Sequence, residues 1–154
     1  MRLTTRGRYA VTALLDLALQ PTEQTITLAE IATRQTISVA YLEQLFAKLR
    51  KAGLVVSMRG PGGGYQLNGS PADIAIADII SAVDENVDAT RCGGLADCQN
   101  NKPCLTHDLW MDLSKQIRDF LSDITLADMT AKMDSDTAAR HKRVNFIPNA
   151  NTAN

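Results

Sequence analysis

Hydrophobic positions in the first part of the chain recur with the spacing of helices. Residues 9 to 19, YAVTALLDLAL, are apolar on nearly every side, which is typical of a helix buried among others, and Pro21 ends it. Thr27 is followed three residues later by Glu30, a capping-box pair that starts a helix at Leu28. The pattern therefore predicts a buried core helix followed by a short second helix.

A third helix is predicted between an N-cap at Ser38 and a stop at Gly53. Its apolar stripe comprises Leu42, Leu45, Phe46 and Leu49. Two helices joined by a tight polar turn, the second of them longer, predict a helix-turn-helix. The opposite face and its flanks carry Ala40, Tyr41, Glu43, Gln44, Ala47, Lys48, Arg50 and Lys51. Amide, carboxylate and cationic groups of this kind read bases and hold phosphates, although a lone amphipathic helix more often presents a merely solvated face.

The residues after Gly53 favour the DNA-binding interpretation. The stretch LVVSMRGPGGGYQL contains two short apolar runs around a Gly/Pro turn, which predicts a β-hairpin. A hairpin that follows a helix-turn-helix is a wing. The backbone of Gly60, Pro61 and Gly62 can approach a phosphate or enter a groove, and Arg59 can enter the minor groove. The alternative is a plain glycine-rich loop, whereas a P-loop is excluded because the GK[ST] ending is missing.

The second half of the chain predicts a further small helix at residues 78–83 and then a long one. Leu105, Leu109, Leu113, Ile117 and Leu121 recur every four residues and form one continuous apolar stripe. A second copy of the chain is the expected partner for this stripe, the alternative being packing on its own domain. Thr125 and Asp128 predict a last short helix. The polar tail beyond residue 133 is expected to be disordered, with His141 as a solvated side chain.

Charge divides the chain into two halves. The net charge is only −1, yet residues 1–60 carry eight Lys or Arg against four acidic residues, so the remainder is acidic. A basic amino-terminal half is expected to meet a polyanion. The length of 154 residues suits one domain with an appended element, and no apolar run approaches a membrane span. We expect a cytoplasmic protein.

All three cysteines lie in one segment with a histidine. Cys92, Cys98, Cys104 and His107 are spaced C-x5-C-x5-C-x2-H, and clustered cysteines in a reducing compartment more often indicate metal or redox chemistry than disulfides. Placed on the first turn of the long helix, Cys104 and His107 would face the same side. Structural zinc sites usually have closer C-x2-4-C spacings, so the spacing favours an iron-sulfur cluster without excluding zinc.

Several motifs in order carry a family resemblance. MRLTTRGRYAVTALLDLA, SVAYLEQLFAKLRKAGLV, RGPGGGY, ISAVDE and ATRC with its following cysteines and CLTHDLW resemble the winged-helix family that contains the bacterial iron-sulfur cluster regulators and the nitric-oxide and cysteine-metabolism repressors. The resemblance covers about residues 1 to 130. It implies a mainly α fold with a small β wing, and a homodimer that binds double-stranded DNA operators. It also implies one [2Fe-2S] cluster per chain on Cys92, Cys98, Cys104 and His107.

The resemblance further implies repression of cluster-assembly genes by the cluster-bound form and regulation of other promoters, some by the cluster-free form, with the cluster-assembly machinery as donor. The expected DNA contacts are Arg2, Thr4, Ser38, Ala40, Tyr41, Glu43, Gln44, Lys48, Arg59, Gly60, Pro61 and Gly62. Ala40 departs from the family, where a serine hydroxyl is expected.

We expect four segments: a DNA-binding domain at 1–84, a cluster loop at 85–104, a dimerisation helix with a short helix at 105–133, and a tail at 134–154. Two alternatives are a zinc-stabilised repressor without sensing and a cluster carrier or redox enzyme. The sequence shows no nucleophile-base pair, substrate signature or nucleotide motif, so we do not expect an enzyme.

Overall fold

The computed structural model describes the backbone of residues 3–144 and the side chains of residues 3–137. Within them, six α-helices and a two-stranded antiparallel sheet follow one another: α1 Thr5–Ala18, α2 Leu28–Gln35, α3 Val39–Lys51, β1 Val55–Met58, β2 Gly64–Leu67, a short 3-10 helix Pro71–Asp73, α4 Ile76–Ala82, α5 His107–Asp123 and α6 Leu126–Val144. The predicted mainly α fold with a small β wing is confirmed. None of the helices in the described part is long and apolar enough to cross a membrane.

The helix starts follow from side-chain caps. The Thr27 hydroxyl accepts from the Glu30 N–H while the Glu30 carboxylate accepts from the Thr27 N–H, so the predicted capping box is present. Ser38 caps α3 by accepting from the Tyr41 N–H. Helix α3 ends at Lys51, and Gly53 follows in the left-handed conformation that stops a helix.

One hydrophobic core holds the helix-turn-helix, the hairpin and the last helix together. Helix α1 is its centre and packs against α2, α3, α4 and α6. The fully buried side chains include Leu14, Ile26, Ile31, Leu42, Leu45, Phe46, Leu49, Val55, Ile79, Ile80, Val83 and Leu126. Burial of this many large aliphatic groups is the main stabilising contribution.

An ion pair inside this core fixes α2 against α1. The Asp16 carboxylate, 2% exposed, accepts hydrogen bonds from the Arg34 guanidinium at 2.7, 3.0 and 3.2 Å and from the Gln35 amide at 2.6 Å. A buried carboxylate needs such partners because desolvation alone would be costly. The pair therefore holds the end of α2 on α1.

The wing is built as predicted, with β1 and β2 paired from Val55 opposite Leu67 to Met58 opposite Gly64. Ile26 adds an isolated bridge to Tyr65, so the segment before α2 extends the small sheet. The Tyr65 ring packs edge-on against Phe46 of α3, with ring centroids 4.8 Å apart. The wing is thereby attached to the third helix.

Two expectations about the second half need correction. The long helix begins at His107, not at Leu105, because residues 105 and 106 form a turn and Thr106 is not helical. The expected single stripe is divided: Leu113, Ile117 and Leu121 are half-buried, whereas Leu105 and Leu109 are exposed. Part of the stripe therefore covers the chain's own domain.

The last helix is longer than predicted. Thr125 and Asp128 form the expected reciprocal cap, but α6 then continues to Val144 instead of giving way to disorder after residue 133. No glycine or proline lies between Leu126 and Val144, and the stretch is rich in alanine, lysine and arginine, which favour helix. The side chain of His141 and the tail from residue 145 lie outside the described side chains and residues.

Candidate metal centre and DNA-binding face

Three of the four predicted ligands meet at the start of α5. The Cys92 and Cys98 sulfurs are 3.4 Å apart, and the His107 Nδ1 lies 3.3 Å from Cys98 Sγ and 3.6 Å from Cys92 Sγ. Cys104 is not among the three residues whose ligand atoms all lie within 4.8 Å of one another. Its sulfur lies 3.7 Å from the Thr106 hydroxyl. The expectation that Cys104 shares the first helical turn with His107 is wrong, because Cys104 precedes the helix.

Local backbone geometry explains why residues far apart in the loop converge. Left-handed positions at Gly93, Gly94, Ala96, Asn100 and Asn101 fold the loop back on itself. A reciprocal pair of backbone hydrogen bonds joins residues 99 and 102 at 2.9 and 3.0 Å. His107, the first residue of α5, is buried. The loop thus wraps around an imidazole that the helix holds in place.

A hydrogen-bond network that the sequence did not predict anchors the start of this loop. The Ser114 hydroxyl of α5 accepts from the Ala89 N–H at 2.8 Å and lies 3.3 Å from Asp88 Oδ1. Asp88 Oδ1 also accepts hydrogen bonds from the Thr90 N–H and the Thr90 hydroxyl, each at 2.7 Å. The signal was the spacing of Asp88 and Thr90, which is typical of an Asx turn. This network ties the loop to the middle of α5.

The surroundings of the thiols favour ionisation at two of them. Burial opposes ionisation of Cys92, but hydrogen bonds from the Cys98 thiol and from the Ala96 and Gly94 N–H groups outweigh it and lower the pKa of Cys92 to about 6. The Thr106 hydroxyl and backbone lower the pKa of the Cys104 thiol. Thiolate is the form that binds metal, so these shifts favour ligation.

The donor set fits a metal centre. Four-coordinate sites with bonds of about 2.0 to 2.3 Å place their ligand atoms about 3.3 to 3.8 Å apart, and the three separations at Cys92, Cys98 and His107 fall in or at this range. Beside them lies a cleft of about 610 Å³ lined by residues that include Cys98, Cys104 and His107. A third sulfur, that of Cys104, therefore borders the same space as a fourth ligand, and the group can hold a metal or a cluster.

The predicted DNA-binding residues lie along one helix and the wing. On α3, Ala40, Glu43 and Gln44 are exposed, and Tyr41 is half-buried against Tyr9 with ring centroids 5.8 Å apart. Arg59, Gly60, Pro61 and Gly62 are exposed in the turn of the hairpin. Their exposure leaves these groups accessible to a duplex.

Three other predicted contacts already have partners within the chain. The Ser38 hydroxyl accepts from the Tyr41 N–H, and the Thr4 hydroxyl accepts from the Arg6 N–H at 3.2 Å as the N-cap of α1. Lys48 forms an ion pair with Asp84 at 2.6 Å, which the sequence analysis did not anticipate. Arg2 lies outside the described residues.

A helix-turn-helix whose second helix keeps one face exposed, followed by a paired wing, defines the class: a winged-helix protein of the DNA-binding type. Solved structures of the same fold include CymR, titled the global cysteine regulator of B. subtilis, with a TM-score of 0.74 and 31% identity over 86% of this chain and 98% of that one. T. potens IscR matches with a TM-score of 0.72 and 39% identity over 86% and 88%.

The chain belongs to the Rrf2 family, described as iron-dependent transcriptional regulators, whose model matches residues 3–132. It is 60% identical to the HTH-type transcriptional regulator IscR of Vibrio atlanticus over 84% of this chain and 75% of that one. The Vibrio vulnificus regulator of the same name is 53% identical over 96% of both chains. The family and these relatives support a DNA-binding transcriptional regulator.

Proposed function

We propose that this chain is a transcriptional regulator that senses an iron-sulfur cluster. The observation that carries the proposal is the convergence of two cysteines and a buried histidine at the first residue of α5, with Cys104 beside them. Cys92, Cys98, Cys104 and His107 would hold one [2Fe-2S] cluster per chain. When bound, the cluster supplies a prosthetic group whose presence depends on iron supply and oxidation.

The chain's own residues supply a route from this site to α3. Asp88 bonds to the loop and to Ser114 of α5, whereas four residues earlier Asp84 pairs with Lys48 of α3. Between them, Glu85 packs on Gly7 of α1 so closely that its carboxylate would clash with a Cβ at that position. A rearranged loop would therefore shift a segment that contacts α1, α3 and α5.

The regulatory part of the proposal is what the family resemblance of the sequence implies. The cluster-bound form represses cluster-assembly genes, and further promoters are regulated, some by the cluster-free form. The cluster-assembly machinery is the proposed donor. The proposed location is the cytoplasm, where the chain would meet DNA and its cysteines would stay reduced. Coupling of a few kcal/mol suffices, since about 3 kcal/mol changes affinity by about a hundredfold. The role is binding and not turnover.

We also propose a homodimer formed through α5, with residues 85–104 as the cluster loop, 105–133 as the dimerisation segment and 1–84 as the DNA-binding domain. Phe120 is 65% exposed. It borders an apolar groove of about 350 Å³ with Leu3, Val87 and Ile117. Phe120→Glu should lower the mass measured by light scattering to that of one chain, whereas Lys115→Glu on the same helix should not. A wild-type mass of one chain would contradict the dimer, and a mass of two chains for Phe120→Glu would contradict its formation through this groove.

A single zinc ion is the second candidate. The three ligand atoms already form a triangle with sides of 3.3 to 3.6 Å, which is the spacing of one tetrahedral metal. Such a site would hold the loop on α5 as a structural metal and would not report the supply of iron-sulfur clusters. The content of metal and acid-labile sulfide separates the two candidates.

The test of sensing compares wild-type protein, purified without oxygen, with a ligand variant. Operators are first selected from a random-sequence duplex library with the wild-type protein, and the iron content and operator binding of each protein are then measured. Cys92→Ala should lose iron and change both affinity and the set of operators bound. Leu95→Ala is the matched control, because Leu95 is an exposed residue of the same loop with no ligand atom. If Cys92→Ala keeps the iron content and the operator binding of wild type, sensing through this loop is wrong.

A further inference from the structure

The ion pair between Lys48 and Asp84 places a carboxylate where a DNA phosphate is expected. Lys48 lies on the flank of the α3 face that carries Glu43 and Gln44, and its ammonium donates to Asp84 Oδ2 at 2.6 Å. Arg6 and Lys51 are also close enough to stabilise the Asp84 carboxylate, and together with Lys48 they lower the pKa of Asp84. Three cations that could hold a polyanion thus surround one internal anion.

The position of Asp84 makes this arrangement unlike an ordinary helix end. Asp84 follows α4, with φ of 57°, and its N–H donates to the Ser81 carbonyl. Glycine or asparagine is the usual residue at such a left-handed C-terminal position. An acidic group there also faces the negative end of the helix dipole. Aspartate tolerates this backbone as asparagine does, but helix termination does not require a negative charge, whereas the contact with Lys48 uses it.

The pair is accessible to exchange. The Lys48 side chain is 39% exposed and that of Asp84 is 72% exposed, so water and salt screen their attraction. A phosphate that approaches α3 can take the place of Asp84 at the ammonium, but the remaining carboxylate repels it. The contact thus lowers affinity for the DNA backbone without blocking it.

From this geometry we infer that Asp84 is an internal competitor of the DNA phosphate backbone for Lys48 and limits the affinity of the α3 face for duplex DNA. The inference rests on the proposed contact of α3 with DNA. Because a lysine-phosphate contact is independent of sequence, Asp84 sets the strength of non-specific binding, and base-reading groups such as Glu43 and Gln44 set the preference.

The test is binding of the full chain to a labelled random-sequence duplex across a series of salt concentrations. Asp84→Asn keeps a residue that tolerates the left-handed backbone and removes only the charge. It should tighten binding about two- to fivefold, as expected for an exposed pair. The slope of log affinity against log salt concentration should also become more negative, by up to about 0.9. Asp73→Asn is the matched control, because it makes the same charge change at another exposed position. It should change the affinity and the salt slope far less.

A double-mutant cycle assigns the effect to Lys48. In the Lys48→Ala background, Asp84→Asn should tighten binding much less than in wild type. Equal tightening in both backgrounds, or none in wild type, would overturn the inference while leaving DNA binding intact. If neither wild type nor any variant shows salt-dependent binding to duplex DNA, the proposed function fails and the inference fails with it. Thermal unfolding followed by circular dichroism checks that each variant is folded.

Discussion

The ion pair between α1 and α2 predicts an asymmetric response to removal of its two partners. Asp16 is 2% exposed and accepts three hydrogen bonds from Arg34, whose side chain is 36% exposed. Breaking a buried pair costs about 3 to 5 kcal/mol when a charge is left buried alone. Arg34→Ala leaves the Asp16 carboxylate buried with Gln35 as its remaining side-chain partner, so we expect a loss of about 3 kcal/mol.

Asp16→Ala leaves an arginine that water can reach. The stranded guanidinium can be hydrated, so the expected loss is smaller, about 1 to 2 kcal/mol from the charged hydrogen bonds removed. The double variant should cost far less than the sum of the two, because each single change removes the same interaction. The two single variants should therefore differ in stability because only Arg34→Ala leaves a charge that solvent cannot reach.

The assay is urea unfolding followed by circular dichroism at a fixed protein concentration, since any association would couple stability to concentration. Lys115→Ala is the matched control, because it breaks an exposed pair with Asp119 and should cost at most about 0.5 kcal/mol. The reasoning is refuted if Arg34→Ala is no more destabilising than Asp16→Ala, or if both resemble the control.

Three further outcomes follow from the structure. Glu43→Ala should change which operator sequences are selected, because an exposed carboxylate accepts from cytosine amino groups and repels other bases; a uniform loss over all sequences would assign Glu43 to folding instead. Gly64→Ala should cost more than about 1 kcal/mol in urea unfolding, because φ is 153° and the new Cβ would lie 2.6 Å from the Ile26 carbonyl oxygen; wild-type stability would contradict the close approach. Hydrogen bonds from Thr27 lower the pKa of Glu30, so its stabilising contribution is complete above the ordinary value of 4.5 and is lost as pH falls through the lowered pKa. Glu30→Gln should therefore flatten the decline in melting temperature below about pH 4.5, and an unchanged decline would exclude this carboxylate as a cause.

The sequence predicted those features that depend on neighbours along the chain. The capping box at Thr27, the cap at Ser38, the leucine stripe of α3 and the glycine-rich wing turn are local patterns, and each is confirmed. The spacing of the cysteines and His107 likewise indicated the group that the structure brings together in part. Local periodicity and cap chemistry therefore suffice for the DNA-binding domain.

Features that depend on distant partners were not predictable in the same way. Nothing in the sequence near Asp16 indicates that Arg34 will bury it, and Asp84 meets Lys48 only after the chain has folded. The start of α5 at His107 depends on the loop that wraps it. The polar composition beyond residue 133 predicts disorder, yet α6 continues to Val144, and residues 126–144 contain no helix breaker.

The measurement that tests the central proposal most directly is the content of iron, acid-labile sulfide and zinc per chain, with the visible absorption spectrum, in protein purified without oxygen. The proposal predicts about two irons and two sulfides per chain, a coloured protein, and loss of both after Cys92→Ala. One zinc per chain with no sulfide and no colour, even after attempted cluster reconstitution, would contradict it and leave a DNA-binding regulator with a structural metal.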